Sequence, residues 1–186
     1  MADFHSDDCP LAEWLEKEAG PMPCRRLDIS GSFSRGRGMN EAVRAARSPL
    51  VLIYDADMVM SEEAFITALS ILAKREAFFP IIQNLDPHGE TDGWYDASLG
   101  MVFLSKETFL TAGGLPTFSN WGGEDEVLYE EGAKTSPVER FKLKGLNHQW
   151  HPVACRHQHY TGEIHEDFRQ YRRNVGERCE NHLRDK

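Results

Sequence analysis

The chain has 186 residues, 40% hydrophobic and 27% charged, with 21 Lys plus Arg against 30 Asp plus Glu and a formal charge of -9. That composition is globular, and the length suffices for a core without disulfide or metal staples, which excludes disorder, collagen and coiled coil. No apolar run approaches the ~20 residues that cross a bilayer, and the acidic balance argues against binding nucleic-acid phosphates, so neither membrane span nor nucleic acid is expected. Met1 to Asp8 has neither a basic region nor an apolar stretch, so it does not read as a secretory signal and the expected compartment is cytoplasmic. Cys9, Cys24, Cys155 and Cys179 form no C-x-x-C pair and are expected as free thiols.

In chain order, Met1 to Phe4 reads as the tail of a strand. Pro10 to Ala19 reads as a helix, with Leu11, Trp14 and Leu15 on one face and Gly20 beyond its end. Cys24 to Ile29 predicts a strand, and Ser34 caps a helix through Arg47. The β-branched and aromatic run Leu50 to Tyr54 predicts a buried central strand that delivers Asp55-Ala56-Asp57 at its C-terminal end. Ser61 caps a helix to about Glu76, with Glu62 and Glu63 in the first turn and Lys74 and Arg75 in the last. Strands follow at Phe78 to Gln83 and Met101 to Leu104, separated by a long irregular stretch holding Trp94 and Tyr95. A short helix from Ser105 stops at Gly113-Gly114. Glu124 to Gly132 predicts a helix, Val138 to Leu143 a strand, and Glu166 to about Leu183 a polar terminal helix. Strands alternating with helices give a single α/β domain over 1-186 with a mostly parallel, Rossmann-like sheet.

Three constellations carry chemistry. Asp55-Ala56-Asp57 sits where a strand ends, the usual place for ligands in an open α/β sheet, and two adjacent carboxylates there call for a cation. Hard oxygen donors suit Mg2+ or Mn2+, which bind phosphate oxygens in turn. Trp121-Gly122-Gly123-Glu124-Asp125 combines an indole face for a sugar ring, glycines that let backbone approach a ligand, and carboxylates able to deprotonate a hydroxyl. A helix start with acidic residues in its first turn explains the same letters structurally. His148-Gln149-Trp150-His151, with His157 and His159 beyond, offers imidazoles to one cation but lacks the glutamate of an H-E-x-x-H protease.

In this order the motifs resemble the GT-A nucleotide-sugar glycosyltransferases, nearest to the chondroitin-polymerising and β-1,4-galactosyltransferase-like group. The segments are Phe33 to Asn40, Tyr54 to Asp57, Phe79 to Ile82 with Asp86-Pro87, Gly113 to Asp125, and Gly145 to Pro152. The resemblance implies transfer from a UDP-sugar donor to a glycan acceptor with inversion, assisted by Mn2+ or Mg2+. It implies Asp57 and His151 as metal ligands, with His148 able to supply another. Asp55 would contact the nucleotide ribose or a metal-bound water. Asp125 would be the catalytic base, and Glu124 an acceptor-binding carboxylate beside Trp121, Gly122 and Gly123. Trp94 is a further acceptor-side candidate. Arg35 and Arg37 are candidates for the diphosphate, and Asp3 resembles a uridine-contacting position. The chain starts at what corresponds to the second strand of the family, so the fold is expected to be N-terminally truncated. Rival readings are a non-catalytic nucleotide- or carbohydrate-binding remnant and a histidine-based zinc hydrolase.

Overall fold

The computed structural model describes residues 1–5, 11–18, 20, 24–117, 123–135 and 138–151. The helix expected from Glu166, together with Cys9, Cys155, Cys179, His157, His159, Trp121 and Gly122, lies outside the described residues. In chain order the elements are β1 (Ala2–Asp3), α1 (Leu11–Glu18), β2 (Leu27–Asp28), α2 (Arg35–Ala45) and β3 (Leu50–Ile53). There follow β4 (Met58–Met60), α3 (Glu62–Leu72), β5 (Ala77–Leu85), β6 (Thr91–Tyr95) and β7 (Val102–Ser105). The last are α4 (Lys106–Thr111), α5 (Glu124–Thr135) and β8 (Glu139–His148). Cys24 is a free, exposed thiol.

Local chemistry sets the helix starts. Ser34, Ser61 and Ser105 each accept a hydrogen bond from the backbone N–H three residues on, at 3.3, 3.1 and 2.9 Å, satisfying a donor that the first turn leaves without a partner. α3 ends at Leu72, so Lys74 and Arg75 fall beyond the helix rather than in its last turn.

The sheet differs from the expected mostly parallel one. Among the described residues, β3, β7, β5, β8 and β4 lie side by side in that order, β6 pairs with β5, and only the β5–β8 pair of this six-stranded sheet is parallel. β1 and β2 make a separate parallel pair. The expected central strand Leu50 to Tyr54 becomes β3 at an end of this order, with Leu50 46% exposed, because β1 and β2 do not bond to it. The long irregular stretch contains β6, whose Tyr95 and Trp94 pair with Ile82 and Gln83 of an extended β5. Gly93 and the polar residues around it hide the period-2 pattern that marks a strand.

Alternation along the strands divides the core between the two sheet faces. Phe78, Phe103, Leu143 and Leu146 pack with Ala64, Ala68 and Leu72 of α3, and the Phe78 and Phe103 rings stack 4.8 Å apart. Phe79, Val102 and Leu104 point the other way, onto Val43 of α2, Phe109 of α4 and Leu128 of α5. α2 is also anchored by a polar clamp: buried Asn40 donates to the Leu115 carbonyl at 2.8 Å and accepts from the Leu115 N–H at 2.9 Å. At Gly36 the helix touches the same segment so closely that an added Cβ would lie 2.0 Å from the Pro116 carbonyl oxygen.

Candidate functional site

The turn from β3 to β4 holds Asp55 and Asp57, closed by a 3.2 Å hydrogen bond from the Met58 N–H to the Asp55 carbonyl. β4 runs antiparallel to the end of β8 with Met58 opposite His148, and the Gln149 N–H donates to the Asp57 carbonyl at 2.9 Å. That pairing brings residues about ninety positions apart to one point. Asp57 Oδ2 is 3.4 Å from both His148 Nε2 and His151 Nε2, and the two imidazoles meet edge to face at 5.2 Å. Ligand atoms of the three residues all lie within 4.8 Å of one another. Asp57 Oδ1 is buried without a hydrogen-bond partner, a costly arrangement that a cation would relieve. One carboxylate and two imidazoles fit a divalent transition metal, and the nitrogen donors favour Mn2+ over Mg2+. Asp55 is not in this trio: its Oδ1 accepts from Arg35 at 2.7 Å.

A second group forms where α5 begins. Gly123 is buried with φ of +91°, a backbone state that side-chain-bearing residues seldom adopt, and it turns the chain into the helix. Glu124, only 2% exposed, accepts from the second terminal nitrogen of Arg35 at 3.0 Å. Burial pushes the Asp125 carboxyl above its usual range, with Glu124 and Asp55 adding to the rise, while the Arg35 guanidinium opposes it. Glu126 is raised for the same first reason, burial, and then by its acidic neighbours. Burial works against the Arg35 cation, but Asp55 and the α5 carboxylates outweigh it and hold its pKa above the ordinary value. A half-buried carboxyl of raised pKa near a guanidinium is suited to accepting a proton.

The remaining candidates are more dispersed. Asp3 is buried at the end of β1 with Arg26 Nε at 3.1 Å. Arg37 donates to the Ser30 carbonyl and lies over the Phe4 ring at 5.0 Å. A groove of about 590 Å³ is lined by Met1, Ala2, Phe4 and Phe33, by Arg35 and other α2 residues, and by Leu50 to Tyr54. Trp94 is 37% exposed on β6, with Lys142 Nζ 5.5 Å from its ring centre. Sequence reasoning missed the double engagement of Arg35, whose partners stand 20 and 89 residues away with no local pattern to announce them. It also missed Gly100, where an added Cβ would fall 2.2 Å from Asp55 Oδ2.

No family model matches the chain. Among solved structures, Staphylococcus aureus TarS 1-349 in complex with UDP-GlcNAc superposes with a TM-score of 0.68 at 12% identity, over 86% of this chain and 51% of TarS. The mannosyltransferase PcManGT of Pyrobaculum calidifontis, in complex with GDP-Man and Mn2+, follows at a TM-score of 0.55 and 16% identity, over 84% of this chain and 48% of that one. The chain has the GT-A fold. Human chondroitin sulfate N-acetylgalactosaminyltransferase 1 is 27% identical to this GT-A chain, the match covering 69% of the chain and 29% of the relative. The chain thus spans under a third of the length of that curated relative. The cytoplasmic expectation is corrected by the curated relatives: human chondroitin sulfate N-acetylgalactosaminyltransferases 1 and 2 and chondroitin sulfate synthase 3 are enzymes of the Golgi lumen. That expectation rested on the first eight residues alone. Among the described residues, no helix is long and apolar enough to cross a membrane.

Proposed function

We propose that this GT-A chain is a metal-dependent, inverting glycosyltransferase that moves a sugar from a UDP-sugar to a hydroxyl of a glycan. The observation that carries the reading is the trio Asp57, His148 and His151 with the orphaned Asp57 Oδ1, on the sheet that also packs α5 with its buried Glu124 and half-buried Asp125. The similarity to a chondroitin sulfate transferase supports the same class of reaction.

In this reading Asp57, His148 and His151 hold a divalent cation, Mn2+ in preference to Mg2+. Bound there, it supplies Lewis-acid neutralisation of the charge that develops on the leaving diphosphate. Asp55 faces the ribose or a metal-bound water, and Asp3 and Arg37 line the nucleotide side. Asp125 takes the proton from the attacking acceptor hydroxyl, a contribution of about 10²–10⁴ in rate. Its burial suits that role, since a carboxylate that has lost water binds a proton more readily. Glu124 orients the acceptor, Gly123 lets it approach the backbone, the resemblance assigns Trp121 and Gly122 to the same role, and Trp94 offers a further aromatic face. Attack from the side opposite the diphosphate inverts the anomeric centre.

Isothermal titration with UDP, in the presence and absence of Mn2+, tests the donor half. Binding that needs the metal is expected; absence of metal-dependent binding for every nucleotide and nucleotide sugar tried overturns the reading.

A further inference from the structure

We propose that Arg35 is a positioning residue, a charged strut whose guanidinium spans Asp55 at the end of β3 and Glu124 in the first turn of α5. By doing so it fixes the Glu124–Asp125 pair relative to the Asp55–Asp57 turn. The catalytic part of this role rests on the glycosyltransferase reading above.

Each terminal nitrogen of Arg35 meets one carboxylate, Asp55 at 2.7 Å and Glu124 at 3.0 Å, so one planar group joins two elements that share no direct backbone pairing. The three side chains are 17%, 34% and 2% exposed, which places the strut out of bulk water at its Glu124 end. A fork of fixed geometry sets distance and angle together, which the flexible ammonium of lysine does not. The root of the strut is itself immobilised. α2 is started by Ser34 and pressed against Pro116 at Gly36. It is clamped to Leu115 by Asn40. Gly100 provides the floor: it leaves the space that the Asp55 carboxylate fills, and its missing Cβ would also stand 3.6 Å from an Arg35 nitrogen. The strut therefore connects the donor and acceptor halves of the site through one side chain, and its engagement with protein carboxylates distinguishes it from a dedicated diphosphate ligand.

The test uses the full chain with Mn2+ and a nucleotide sugar that the unaltered protein consumes, comparing Arg35→Lys, Arg35→Met and Gly100→Ala. A strut predicts a fall in kcat of about 100-fold for Arg35→Met, as expected when catalytic geometry is lost. Donor affinity by titration should change less than about threefold. Arg35→Lys should recover only part of kcat. Gly100→Ala, which forces Asp55 away from the guanidinium, should lower kcat in the same direction. Asp125 faces Arg35, Glu124 and Asp55, with Glu126 as its neighbour in sequence, so loss of the cation should also move the acidic limb of kcat/KM to higher pH. A loss confined to donor affinity, with kcat and the pH profile unchanged, overturns the proposal in favour of a direct ligand. If the unaltered protein consumes no nucleotide sugar, the enzyme reading fails, and a stability cycle of Arg35→Met with Glu124→Gln still decides the strut. The unfolding constants should then be coupled by about tenfold or more, and additivity within threefold overturns it.

Discussion

Replacing Asn40 with Ala removes both bonds that tie α2 to the segment before α5. Asn40 is 5% exposed and Leu115 3%, so water does not take over as partner for the Leu115 N–H and carbonyl. A net hydrogen bond is worth about 0.5–1.5 kcal/mol and a buried group left without a partner costs about 1–3 kcal/mol, so leaving both Leu115 groups unpaired is expected to cost about 2–6 kcal/mol. For a domain of this size that is a fall in Tm of about 4–24 °C. Equilibrium urea unfolding followed by tryptophan fluorescence and circular dichroism measures it. Asn40→Asp separates the two bonds. Its carboxylate still accepts from Leu115 N–H but faces the Leu115 carbonyl when ionised, so the folded state favours the protonated form and raises the pKa. Stability relative to the unaltered protein should then fall as pH rises from the unfolded value of about 3.9, levelling off above the raised folded value. A cost for Asn40→Ala below about 1 kcal/mol, or an Asn40→Asp variant with no pH-dependent deficit, would refute the clamp.

Three further outcomes follow from the site and its scaffold. Asp125→Asn should lower transfer by about 10²–10⁴. Because burial raises the folded pKa of Asp125, its charge costs stability increasingly as pH climbs from about 3.9 through the folded value, so the variant should melt no lower than the unaltered protein at pH 7. A lower melting temperature there contradicts that account. His151→Ala and Asp57→Asn should each weaken Mn2+ binding, read by electron paramagnetic resonance of the free ion, by about tenfold or more, a loss that even outer-shell changes produce. Unchanged Mn2+ affinity in both variants removes the trio as the metal site. Ser61→Ala should cost about 1 kcal/mol, or about 2–4 °C in a thermal scan, by freeing the Ala64 N–H at the start of α3. An unchanged melting temperature would show that the cap bond adds nothing.

Local pattern carried far into this chain. The serine caps at Ser34 and Ser61 and the helix start at Ser105 were legible because a cap is a three-residue event, and the acidic turn at Asp55 to Asp57 was legible because it follows an apolar strand. The ordered motifs also carried the GT-A likeness, which the superpositions bear out. Sheet direction was not legible. β7 and β4 run antiparallel to their neighbours, and nothing in a strand's own residues states the direction of the strand beside it. β6 was hidden because its five residues are all exposed and Gly93 interrupts them.

The sequence by itself determined which residues are candidates for site chemistry: carboxylates after a strand, a glycine-led acidic helix start, and a pair of histidines near a strand's end. Tertiary structure alone decided how they group. Pairing of β4 with β8 sets both histidines on Asp57 and leaves Asp55 to Arg35, a division that the adjacent letters Asp55-Ala56-Asp57 do not contain. The physical reason is range. Caps and turns are decided by bonds within four residues, whereas a cation site or a buried ion pair is decided by where the packed sheet faces carry groups 20, 89 or more positions apart.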